Sequence, residues 1–202
     1  MAGIQSIYGG RVRGYFGIGM ERVSKPMNMG NLFRTAQAFG ASFCFTIGAP
    51  PHMLQPKSDT SKASLNLPVY HFESIDAAQF PRGCALVGVE LTEDAIDLPS
   101  FHHPRCAAYV LGAEMFGLSR ETLARCEYVI KIPTKFSLNV ATAGAIVLYD
   151  RVRCLGGYPD RPIRPGGPEL GPGLEKRPEI GKQPRVRIRM QQEKQRTGNE
   201  NN

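Results

Sequence analysis

The chain has 202 residues, of which 42% are hydrophobic and 21% charged, and it carries a net charge of +7. That length supports one domain of ordinary size, or one domain with a tail. Five scattered cysteines without a C-x-x-C pair exclude a disulfide framework and a structural zinc site, and no apolar run approaches the roughly 20 residues of a membrane span.

Six apolar runs read as buried strands: YFGIGMERV (15–23), SFCFTIGA (42–49), LPVYHF (67–72), CALVGVEL (84–91), CAAYVLG (106–112) and YVIKIP (128–133). The glycines of GYFGIG sit inside the first of these runs, with no strand before them and Arg22 where a third loop glycine would fall. They do not make a dinucleotide loop. Helical spacing follows at 31–39, where Leu32, Ala36 and Phe39 form one apolar face, and Asn31 is the expected N-cap. This places Arg34 in the first turn, at the positive end of the helix dipole, where a cation needs a reason to be kept. Further helices are expected at 74–79, 119–126 and 139–155, the last rich in Ala and Gly. Strands alternating with helices predict an α/β domain with a mostly parallel sheet over residues 1–160. The segment 51–66 is polar and reads as a long loop or short helix.

The remainder, 161–202, holds ten Lys and Arg against five Asp and Glu, six Pro, six Gly and no aromatic residue. It cannot bury enough apolar surface to offset the entropy of ordering, so a disordered basic tail is expected. The N-terminus lacks the apolar core of a signal peptide, and a reducing cytoplasm is the expected compartment.

Two stretches carry chemistry at strand ends, where α/β sheets bind ligands. In YVLGAEMFGLS (109–119) a strand ends in Gly112, Glu114 follows, and Ser119 caps the next helix. Glu114 taken alone could equally be solvated. In IPTKFSLNVATAGA (132–145) Ser137 and Asn139 precede a helix of small residues. Capping explains Ser137 well and Asn139 less well, since Asn139 lies past the expected cap. The four histidines, among them His102 and His103 in a polar turn, show no metal-ligand spacing.

Together, N-x-G-N-L-F-R-T-A-x-x-F-G, V-L-G-A-E-x-x-G-L-S and I-P-x-x-x-S-L-N-V-A-x-A closely resemble the three signature motifs of the SpoU/TrmH family of the SPOUT superfamily. These are S-adenosyl-L-methionine-dependent RNA ribose 2′-O-methyltransferases. The resemblance covers about residues 15–158. It implies an α/β fold with a C-terminal trefoil knot, a homodimer, RNA as partner (tRNA or rRNA, tRNA favoured), no DNA, no membrane and no metal. It also implies a cofactor pocket at Val89, Gly112, Ile132 and Leu138 with Ser137 alongside. By the same resemblance Arg34 meets the RNA backbone, placed by Asn28, while Glu114 and Asn139 shape the pocket or hold Arg34. Two features depart from the family pattern: the loop between Pro133 and Ser137 is about two residues short, and Ala141 stands where Ser is frequent. The alternative from another class is an RNA-binding protein of the same fold that has lost catalysis.

Overall fold

The computed structural model describes residues 14–23, 25–51, 67–113 and 116–156, with isolated positions up to 167. The chain divides into a unit of residues 1–158 and a remainder, 159–202. Most of the basic tail and most of the 51–66 segment lie outside the described residues.

Among the described residues, seven strands form one sheet: β1 (Tyr15–Glu21), β2 (Phe43–Ile47), β3 (Val69–Phe72), β4 (Ala85–Val89), β5 (Ile96–Asp97), β6 (Cys106–Leu111) and β7 (Tyr128–Lys131). Their order is β3-β2-β1-β6-β4-β7-β5, and every pair is parallel. Residues 16–20 of β1 and all of β2 are buried, which is why these strands read as near-continuous apolar runs rather than alternations. The strand glycines serve packing: a Cβ at Gly17 would collide with the Phe43 ring, and one at Gly19 with Phe45. The expected α/β class and parallel sheet are what the chain adopts.

One sheet face packs Phe16, Ile18, Tyr109 and Leu111 into a core with Leu32, Val147 and Leu148 of helices α1 (Pro26–Phe39) and α3 (Val140–Leu155). The other carries Phe43, Phe45 and Val110 against Ile75, Ala78 and Leu118. Helix α2 (Arg120–Arg125) is capped by Ser119, whose hydroxyl accepts the Thr122 N–H, as expected. Helices α1 and α3 touch where Gly144 leaves room for Leu32.

Four sequence expectations need correction. Helix α1 starts at Pro26, not after Asn31; Lys25 is its N-cap, and proline's fixed φ suits the first helical position. Arg34 therefore sits in the third turn and is exposed, so the dipole offers it no penalty. No helix forms over 74–79; the segment is turns, with the Ser74 hydroxyl accepting the Ala77 N–H, and Pro81 stops a segment too short to sustain itself. The short β5 strand falls in a stretch that carries no strand pattern.

Fourth, His103 is not in a polar turn but buried, beside Tyr109 and Arg151. Burial lowers the His103 pKa, with Asp150 opposing, and pushes the Tyr109 phenol up to about 12. A protonated phenol donating to neutral His103 Nδ1 at 2.6 Å, with His103 Nε2–H donating to Asp150 at 3.2 Å, satisfies each group. All five cysteines are free, and among the described residues no helix is long and apolar enough to cross a membrane.

Candidate functional site

The carboxyl ends of β4, β6 and β7 open onto one cavity of about 130 Å³. That is well beyond the ~10–15 Å³ that admits a single water, so it suits a ligand of many atoms. Val89, Gly112, Ile132, Ser137 and Leu138, separated by up to 49 positions in sequence, all line it. Val140 and Ala143 of α3 form a further wall.

Each wall has a local cause. After β6 the chain turns back, with Gly117 N–H donating to the Ala113 carbonyl at 2.9 Å and Gly117 in the left-handed region at φ +64°. A Cβ on Gly112 would collide with the Gly117 carbonyl group, so the strand end and the returning turn touch backbone to backbone. After β7, the Thr134 hydroxyl donates to the Phe136 carbonyl at 2.9 Å and shapes the short loop before Ser137. Asn139 then caps α3, its side-chain oxygen accepting the Ala141 N–H at 3.0 Å and the Thr142 N–H at 3.4 Å. Asn139 is therefore the cap, the weaker of the two candidates in the sequence, while Ser137 is exposed and lines the cavity, where the resemblance put it.

Asn139 also reaches across to α1, donating from Nδ2 to the Asn28 side-chain oxygen at 3.2 Å. Asn28 is buried on the apolar face of α1, a polar residue where periodicity calls for an apolar one. The structure thus joins Asn28 to Asn139, and Asn139 to the cavity wall it caps. Arg34 is not brought into that lining. It stands exposed on α1 and forms no ion pair among the described residues. Glu114 lies outside the described residues.

Three charged residues without a signature in the motifs hold the walls together. Glu90, just after β4, lines the cavity and accepts the Leu118 N–H at 2.7 Å. Glu21, buried at the end of β1, accepts the Ser119 N–H at 2.8 Å. Lys131 ends β7 and donates to the Thr92 and Glu93 carbonyls at 3.2 and 3.1 Å. The signal for both carboxylates was present, since each closes an apolar strand run as Glu114 does. Among the described residues no group of three or more His, Cys, Asp or Glu could hold a metal ion.

The SpoU rRNA Methylase family matches the chain over residues 16–149. A tRNA (guanosine(18)-2′-O)-methyltransferase of Thermus thermophilus is 33% identical over 153 residues, covering 71% of this chain and 78% of that protein. A 23S rRNA (uridine(2479)-2′-O)-methyltransferase of Streptomyces viridochromogenes is 29% identical over 152 residues, covering 69% of this chain and 53% of its own length. The crystal structure of the SpoU methyltransferase AviRb from Streptomyces viridochromogenes, in complex with the cofactor AdoMet, superposes with a TM-score of 0.60 at 28% identity. That superposition covers 69% of this chain and 57% of AviRb.

Proposed function

Because the chain belongs to the SpoU rRNA Methylase family, we propose that it transfers a methyl group from S-adenosyl-L-methionine to a ribose 2′-OH of RNA, with tRNA as its substrate. The observation that carries this reading is the convergence of Val89, Gly112, Ile132, Ser137 and Leu138 on a single cavity at the carboxyl edge of the sheet. Support for tRNA comes from the Thermus relative, a tRNA methyltransferase at 33% identity; the Streptomyces relative acts on 23S rRNA at 29%.

The cavity fits the methyl donor in kind. Gly112, Ala113 and Gly117 line it, and the two glycines bring no side chain between backbone and ligand, which suits recognition of a flat nucleoside by main-chain hydrogen bonds. When bound, S-adenosyl-L-methionine supplies an electrophilic methyl group on a sulfonium. The chain's part is to hold donor and ribose oxygen in line, which can account for much of the acceleration. Arg34 presents a guanidinium to the RNA phosphate and stabilises charge developing on the ribose oxygen. With a pKa above about 12 it is poorly suited to act as the base. Asn28 and Asn139, bonded to each other, fix α1 against the cavity wall and so position Arg34.

A homodimer and a trefoil knot belong to the same reading. Met27, Phe116 and Phe136 are 68%, 75% and 76% exposed, large apolar side chains of the kind an interface covers. Free thiols agree with residence in a reducing cytoplasm.

S-adenosyl-L-methionine at about 100 times its Kd should stabilise the protein by roughly 2.7 kcal/mol, a rise of several degrees in Tm. Differential scanning fluorimetry checks this. RNA binding with no cofactor-induced rise would point instead to a binding protein of the same fold.

A further inference from the structure

Both oxygens of the Glu90 carboxylate are engaged by backbone. Oε2 accepts the Leu118 N–H at 2.7 Å, and Oε1 accepts the Leu91 N–H at 2.9 Å. Behind the carboxylate lies Gly117, where a Cβ would collide with Oε2, and Gly117 in turn is pressed against Gly112. The end of β4, the end of β6 and the turn before α2 are therefore stacked with no spare atom between them, and the Glu90 side chain is what joins the first to the third. The same strand end is held to β7 from the other side, Glu90 N–H donating to the Ile130 carbonyl at 3.0 Å.

The chemistry of this contact needs a carboxylate. Two N–H donors converge on one side-chain head, and only an ionised carboxyl offers an acceptor to each. An amide of the same size turns a donor toward one of them. The turn itself has a second anchor, Glu21 on the Ser119 N–H, so losing Glu90 displaces the cavity wall without releasing the fold.

We propose that Glu90 is a positioning residue that holds Gly117 and Leu118 against the end of β6 in the arrangement that accepts S-adenosyl-L-methionine, and that it has no part in RNA binding. This rests on the function proposed above. Glu90→Gln raises the Kd for S-adenosyl-L-methionine about tenfold, the effect of one backbone donor losing its acceptor. The KM for RNA stays within about twofold, whereas a role in folding alone would lower the active fraction and the Tm. Gly117→Ala, which drives a Cβ into the same carboxylate at a φ that disfavours side chains, produces the same cofactor defect.

Isothermal titration with S-adenosyl-L-methionine on the wild type, both single variants and the double variant tests this as a cycle. A double variant no weaker than the worse single variant is the expected result. Wild-type-like affinity in Glu90→Gln, equal losses for cofactor and RNA, or fully additive losses would each overturn the positioning role. A wild-type protein that binds no S-adenosyl-L-methionine would instead remove the proposed function and this inference with it.

Discussion

Arg34→Ala is expected to lower methyl transfer by roughly 10²–10³-fold, the loss typical of removing one preorganised electrostatic contact to a developing charge. The Kd for S-adenosyl-L-methionine should stay within about twofold, because Arg34 is exposed on α1 and is absent from the cavity lining. Its side chain forms no ion pair among the described residues, so truncation breaks no internal contact of that kind. Arg34→Lys should recover only part of the rate, since an ammonium cannot reproduce the planar, two-pronged contact of a guanidinium with phosphate. Single-turnover methylation with saturating cofactor, run beside equilibrium cofactor binding, separates the two quantities. Parallel loss of both would move Arg34 from the RNA side of the site to the cofactor side.

The largest effect on stability is expected from Arg151→Ala, a loss of about 3–5 kcal/mol from stranded carbonyls and a cavity together. Arg151 is 1% exposed, yet it is an arginine on a helix facing the sheet. Nη1 donates to the Pro104 carbonyl at 2.6 Å and to the Tyr109 hydroxyl at 2.9 Å, and Nη2 donates to the Arg105 carbonyl at 2.9 Å. The guanidinium also lies 4.6 Å from the Phe16 ring centroid. Truncation strands two carbonyls and opens a void against Phe16. Because Tyr109 also binds His103, which binds Asp150, the loss spreads through a connected group joining α3 to the start of β6. Urea unfolding should show a lowered midpoint with little change in slope. A cost below about 1 kcal/mol would mean that the network contributes little to holding α3 in place.

What the sequence made legible follows the physics of each element. Strands β1, β2, β4 and β6 were plain because they are buried, and a near-continuous apolar run of that length fits little besides a strand covered on both faces. Helix α3 was plain for its small-residue run. Helix α1 was found but begun too late, because its buried face opens with Asn28, which a periodicity count reads as polar. That misplacement created an apparent paradox at Arg34 which a start at Pro26 removes. The pocket positions were legible only through motif order, since nothing local says that Val89 and Leu138 meet. The cap at Asn139 was ranked below Ser137 because the helix was expected to begin earlier than Val140. Glu90 could have been read, as a carboxylate at a strand's carboxyl end. Arg151 could not, for its partners lie more than 40 positions away, and His103 needs Asp150 at a like separation as well as nearby Tyr109.

The most direct measurement is to incubate the protein with S-adenosyl-L-methionine and unmodified tRNA transcripts, or rRNA fragments, and to analyse the digested nucleosides by mass spectrometry. A 2′-O-methylated nucleoside in tRNA, absent when Arg34→Ala replaces the wild type, is the predicted result. A methyl group on a base, or no methylated nucleoside from any RNA despite demonstrated cofactor binding, would contradict it.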